Sequence, residues 1–527
     1  MTRILIRGGS VVSPESVTRA DVLVVGDRIV AVGEIDAPEA DTIDATGRYL
    51  LPGLVDAHSH ADGAVFDPEV QLSLLRQGIT AVVGGQDGVS YAPGDGAYGS
   101  AYFAAINGPH PSYRGSTVAE LLATYDGRIP LGFAYLVPAG TVRQEVMGSA
   151  SRPATDGERA QMVALVAQGI AEGAAGLSSG LDYVPGIFAD TDEIAALCAP
   201  LDGLPYVTHM RGGYEDNAEF GVDEVARIGL AAGVPVHISH FHTRADEAWR
   251  LLADLESRGV RATFDMYPYT RGCSLLAMTM LPPELNALGG GEAARRLADP
   301  ELRAELRATW FPLVDTYPSL GPEWPGLITI GHVAAPEFAW AHGLTLAQIA
   351  ERRGADVVET VLDLLEASHL EVNVVMAVRN QRPVTDLGRL FAHPGHMGGS
   401  DGIFIGAHPH PRARGTFGSF LATYVREEGF LDWPTAVQHL STGPAELFRL
   451  GDRGRICPGA IADIAIVDPR TVRDRSTYDE PLALAEGIDD VLVSGTRVLA
   501  EGRLTGATPG GGIRAAQPHP SHTQGEK

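Results

Sequence analysis

Two histidines one residue apart, His58 and His60, stand at the end of an apolar run, GLVDAHSH. In an extended strand the side-chain period of two points both imidazoles to the same side. Further along, His209 lies at the end of PYVTHM, His240 near the end of VPVHISHF, and Asp401 in HMGGSDG. Each piece alone is an ordinary feature of a folded chain. Together, four histidines and a carboxylate at the ends of different strands supply nitrogen and oxygen ligands to Zn²⁺ with room left for water. The chemistry implied is hydrolysis, in which zinc acidifies water and polarises a carbonyl and a carboxylate moves the proton.

Those residues need a scaffold that gathers strand ends. Eight candidate strands can be read: GLVDAHSH, ITAVVGGQDG, PLGFAYLVPAG, AGLSSGL, PYVTHM, VPVHISHF, ATFDMYPY and HMGGSDG. Stretches of helical period, such as DGERAQMVALVAQGIAEG and VDEVARIGLAAG, lie between most of them. The expectation is an α/β protein, a (β/α)₈ TIM barrel over residues 51–445, with its active site at the C-terminal ends of the strands. A segment at about 274–386 interrupts the rhythm and is expected to hold a small helical insertion before the last strand. The first fifty residues alternate apolar and polar, and the same pattern returns in GRICPGAIADIAIVDP and IDDVLVSGTRVLAEGRL. Residues 1–50 and 446–507 are therefore expected to build one composite β-sandwich. Residues 508–527, rich in Gly, Pro and polar groups, read as a disordered tail.

The chain has 527 residues and a formal charge of −26, which excludes nucleic acid and anionic membrane as partners and leaves a small molecule. No apolar run is long enough to span a bilayer, and MTRILIRGGSVV lacks a signal-peptide core. Three widely spaced cysteines argue for a reducing, cytoplasmic setting. The sole lysine is Lys527, so chemistry that needs a folded-in lysine is closed.

PGLVDAHSH with later strand-end histidines, a late SDG and a closing PGAIADIAIVDP resembles the amidohydrolase superfamily. Within it, GAAGLSSGLDYVPG, YVTHMRGG, DMYPYTRG and HPHPRARGTFGSFLATYVRE resemble the D-aminoacylase (N-acyl-D-amino-acid deacylase) family, in order along nearly the whole chain. The resemblance implies one or two Zn²⁺ ions, with Mn²⁺ or Co²⁺ as substitutes. It gives His58 and His60 one metal position and His209 and His240 the other, or all four a single site. It makes Asp401 a ligand and the group that deprotonates water and later protonates the leaving amine.

The chain also departs from that family. Where the family has a metal-binding cysteine after strand two, this sequence has Asp87, a competent harder ligand. His242 replaces a lysine, Pro138-Ala139 a histidine-containing phrase, and Cys273 a serine. The expected substrate contacts are Tyr183, Tyr267 and His242, with Arg379, Arg412 and Arg414 as receptors for a substrate carboxylate. Besides deacylation of an N-acyl-D-amino acid, two readings stay open: hydrolysis of a cyclic amide or imide, and a diverged zinc barrel catalysing isomerisation, elimination or amide formation.

Overall fold

A computed structural model describes residues 2–212 and 214–516. Eight short parallel strands succeed one another through the chain. They are β1 Leu54–Asp56, β2 Ile79–Gly84, β3 Gly132–Tyr135 with its continuation Val137–Pro138, and β4 Leu177–Gly180. The others are β5 Tyr206–His209, β6 Val236–Ile238, β7 Ala262–Met266 and β8 His396–Gly398. Their pairing follows chain order, β1 to β3 in one sheet and the β3 continuation to β8 in another. The last strand returns to the first: Ala57 N donates to Gly398 O at 3.0 Å, and Ser59 bridges Gly402 in parallel. Every residue of β2, ITAVVG, is buried, as strands covered on both faces require.

The helices between strands have local causes. Asp156–Ala171 starts at Thr155, whose hydroxyl accepts from Glu158 N while the Glu158 side chain reaches back to the Thr155 amide. Ala218–Ala232 stops at Gly233, which takes the left-handed conformation. The result is an α/β fold. Among the described residues no helix is long and apolar enough to cross a membrane.

Both termini contribute to flanking β-structure. A seven-stranded sheet joins Ser10–Val12, Val17–Arg19 and Tyr49–Pro52 to four strands between Ile464 and Leu504. Arg3–Arg7, Asp21–Val25, Arg28–Gly33 and Asp41–Asp44 form a second sheet. Ile6, Val22, Leu50, Ile464 and Leu492 share one apolar core across the two.

Two regions differ from the sequence expectation. The interrupting segment is not only helical: Gly272–Leu275, Val372–Met376 and Ile328–Val333 form an antiparallel sheet with the 372–376 strand in the centre. Cys273 pairs with Val375. A contact between such distant positions leaves no local period to read. The expected disordered tail is also corrected in part. Gly511–Ile513 is a strand lying parallel to the N-terminal half of β3, and Ala515 N and Ala516 N donate to Gly173 O and Arg449 O at 2.9 Å. Glycine permits this approach: a Cβ on Gly510 would lie 2.0 Å from Leu131 O. The remaining tail, 517–527, lies outside the described residues.

Candidate metal centre and active site

The chain bends at Ala57 and His58 as it leaves β1, and His58 and His60, on either side of Ser59, are both buried. The loop after β2 brings in Asp87 through left-handed backbone at Gly85, Asp87 and Gly88. It presses so close to β4 that a Cβ on Gly180 would lie 2.1 Å from Asp87 O. Asp87, His240 and Asp401 have φ of 55°, 34° and 48°, three of the ten non-glycine residues with positive φ among the described residues. Backbone held in that region at a functional site is stored strain that the surrounding fold must fix.

Asp87 is the centre of the cluster. Its Oδ1 lies 3.6 Å from His58 Nε2 and 3.7 Å from His240 Nε2. Its Oδ2 lies 3.5 Å from His60 Nε2 and 4.0 Å from His209 Nδ1. Asp401 Oδ1 stands 3.3 Å from His60 Nε2 and 3.8 Å from His58 Nε2. His58, His60, Asp87 and Asp401 make one potential metal-binding group, and Asp87, His209 and His240 a second, each with donor atoms within 4.8 Å of one another.

The outward ring nitrogens are held from behind. His58 Nδ1 meets Asp265 Oδ2 at 3.2 Å, His60 Nδ1 meets Asn107 Oδ1 at 3.0 Å, and His209 Nε2 meets Asp182 Oδ2 at 3.2 Å. Asp265 Oδ1 also accepts His240 N at 2.8 Å. Metal-ligating histidines are oriented in this way. The inward atoms His58 Nε2 and Asp87 Oδ1 are buried without a hydrogen-bond partner. An orphaned ring nitrogen and an orphaned carboxylate oxygen facing each other across a small gap fit a cation.

The electrostatics agree. Burial alone would raise Asp87, but His58, His240 and His60 hold its carboxyl well below the usual range. Burial is likewise overruled at Asp401, lowered by Arg412 and His60. His60, which burial would lower, is pushed up to about 10 by Asp401 and Asp87. The cluster is an anionic pair that calls for positive charge.

A cavity of about 520 Å³ opens from this cluster, with His60, Asp87, His209, His240 and Asp401 on its wall. Tyr183, Tyr267 and His242 line it. Tyr183 is bonded to Ser274 Oγ at 3.0 Å, and His242 Nε2 to the Tyr267 hydroxyl at 2.5 Å. Burial and nearby Arg382 push His242 well below the ordinary histidine value.

The three arginines do not line the cavity. Arg379 is on the surface, 3.2 Å from Glu323. Arg414 is directed elsewhere, its neighbouring charges being Glu69 and Asp67. Arg412 is fully buried, 2.8 Å from Asp401 Oδ2, with its guanidinium carbon 4.5 Å from the Tyr267 ring centre. Their place in the sequence could not show which way each side chain turns.

Sequence reasoning missed Asp265, Asn107 and Asp182. A signal existed for Asp265, a lone acid inside the apolar run ATFDMYPY, because a buried carboxylate needs partners. Asn107 lies in a helical turn far from any strand end and gave none.

This constellation belongs with known proteins. The family model described as "Amidohydrolase family" matches residues 41–291 and 326–499. The chain belongs to the amidohydrolase family, on its D-aminoacylase branch. It is 32% identical over 495 residues to the N-acyl-D-glutamate deacylase of Alcaligenes xylosoxydans xylosoxydans, covering 92% of this chain and 90% of that one. It is 31% identical to the D-aminoacylase of the same organism, covering 96% of each. A crystal structure of D-aminoacylase superimposes with a TM-score of 0.81 at 28% identity, over 97% of this chain and 99% of that one. The N-acyl-D-glutamate deacylase of Bordetella bronchiseptica, solved with zinc and a phosphonate mimic of the tetrahedral intermediate, gives 0.79 at 30% identity, with the same coverage.

Proposed function

We propose that this protein hydrolyses the amide bond of an N-acyl-D-amino acid or a related N-acylated small molecule. The observation that carries the reading is the placing of both Asp87 oxygens against four inward imidazole nitrogens, with Asp401 beside them. His58, His60, Asp87, His209, His240 and Asp401 would hold one or two Zn²⁺ ions, Mn²⁺ or Co²⁺ serving in their place. Bound there, zinc supplies Lewis acidity to the scissile carbonyl and acidifies water.

Asp401 does the proton work. Arg412 holds its Oδ2, which leaves Oδ1 on the side of His60 and His58. That oxygen takes a proton from the attacking water and returns it to the amine nitrogen as the C–N bond breaks. Water and amide are consumed, and a carboxylic acid and an amine are released.

In the same reading β1–β8 form one (β/α)₈ barrel over residues 51–445, its sheets joined through β3 and through the β8-to-β1 contacts. Residues 1–50 and 446–507 form the accessory sandwich. Three unpaired cysteines support a cytoplasmic setting.

The test is metal analysis of protein prepared without chelator, followed by incubation with N-acetyl-D- and N-acetyl-L-amino acids and assay of free amine. The expected result is at least one transition-metal equivalent and release of amine from the D series. Asp87→Ala, prepared in parallel, is expected to lose metal relative to wild type. Unchanged stoichiometry and activity in that variant remove Asp87 from the centre. Ring opening of a cyclic imide in preference to every linear amide favours the cyclic-amide reading instead.

A further inference from the structure

We propose that the cavity beyond the metal-binding residues takes an uncharged group, so that the carbonyl next to the released amine is capped as an amide rather than left as a free carboxylate. This goes further into the site just read as a C–N hydrolase and depends on that reading for the position of the scissile bond.

The wall of the cavity carries the argument. Among the described residues no arginine or lysine lines it. Outside the metal-binding set, its charged side chains are two acids, Asp182 and Glu215. Its other polar residues are hydrogen-bonding groups such as Tyr267, Thr270, Ser274 and Asn286, with His242 among them. The segment between β7 and β8 adds apolar faces, including Met278, Leu281, Trp310 and Leu320.

Nearby arginines stand off the wall, although Arg412 Nε, Nη1 and Nη2 and Arg382 Nη2 have no hydrogen-bond partner. Arg412 is sealed behind Asp401, 2.8 Å from its Oδ2, and acts as a positioning residue for that carboxylate. Arg382, on an adjoining cavity, donates to Thr243 O and stands 4.0 Å from Asp386. Arg379 is on Glu323. A carboxylate taken into such a cavity keeps its desolvation penalty and meets no arginine or lysine on the wall. A primary amide loses far less, because hydroxyl and carbonyl partners satisfy it.

The experiment compares N-acetyl-D-phenylalaninamide with N-acetyl-D-phenylalanine on metal-loaded protein. Wild type is expected to favour the amide by about ten-fold or more in kcat/KM. His242→Lys, which sets a cation on the wall beside Tyr267, is expected to raise kcat/KM for the acid and narrow or reverse that preference. Calorimetry of both probes on metal-loaded Asp401→Asn gives an answer that does not depend on turnover. Tighter binding of the amide there supports the neutral subsite even if neither compound is hydrolysed, in which case the hydrolase reading alone fails. Equal, acid-favouring or undetectable binding overturns the proposal, as does a wild-type preference for the acid.

Discussion

The two ends of the parallel strands are built on opposite principles. At the C-terminal ends, charge and strain are concentrated: four imidazoles, two carboxylates, and three residues with positive φ. At the N-terminal end of β3, the Gly511–Ile513 strand lies against the sheet where glycine alone leaves room. The first end has unmet polar atoms at His58 and Asp87, while close glycine contacts occur at both. In strand-and-helix folds of this kind the C-terminal ends serve chemistry and the N-terminal ends serve stability. Damage at one end should therefore cost activity without stability, and damage at the other the reverse.

The largest expected effect is at the catalytic end. Asp401→Asn keeps an oxygen for Arg412 but cannot accept the proton of water, so kcat should fall by about 10²–10⁴. Folding, followed by circular dichroism, and metal content, by elemental analysis, should be near those of wild type. A folded, metal-loaded variant with wild-type kcat would remove Asp401 from proton transfer.

A step behind the proposed metal ligands the effect should be smaller. Asp265 orients His58 and the His240 backbone and also receives His237 Nε2 at 3.1 Å. Burial would raise its carboxyl, but His58 and His237 hold it far below the usual range. Asp265→Asn should weaken metal binding about 10–100-fold, measured by competition with a chromogenic chelator. Unchanged affinity would mean that the strand geometry alone aims His58.

At the opposite end, Gly510→Ala drives a methyl group into the Leu131 carbonyl and should displace the last strand. Expected is a fall in Tm of roughly 2–4 °C with kcat intact, read by scanning calorimetry and amine release. Loss of kcat with Tm preserved would break the division between the two ends.

The smallest effect concerns pH. His110 Nδ1 accepts from Ser112 N and Tyr113 N, at 3.2 and 2.8 Å, which requires an unprotonated ring. Burial, with Arg128 and Arg114, pushes it down to about 4 from an ordinary 6.5. The unfolded chain binds the proton more readily between those values, so His110 adds stability above pH 6.5 that is lost as pH falls towards 4. His110→Asn should flatten that part of the Tm-against-pH curve by about 1–3 °C. An unchanged slope would place the acid sensitivity elsewhere.

Much of this was legible before the fold was known. All eight segments read as strands contain the parallel strands observed, because short runs between stretches of helical period are local signals. His58, His60, His209, His240 and Asp401 were legible because each ends such a run, and Asp87 because it occupies a position where the resembled family has a ligand. The 272–376 sheet was not legible, since its paired strands are separated by tens of residues or more, as Cys273 from Val375 and Ile328 from Met376. Nor was the docking of Gly511–Ile513: a glycine-rich stretch reads the same whether it is loose or packed.

By itself, then, the sequence determined the class of chemistry and the order of the strands. Both rest on residue type and short spacing, which survive without coordinates. Only the tertiary structure decided that Asp87 stands between two groups of histidines, that Asp265, Asn107 and Asp182 hold His58, His60 and His209 from behind, and that Arg412 faces Asp401. Those outcomes depend on the direction in which side chains from distant segments turn once buried together. Direction is set by packing and hydrogen-bond satisfaction across the whole fold, and no local stretch of sequence contains it.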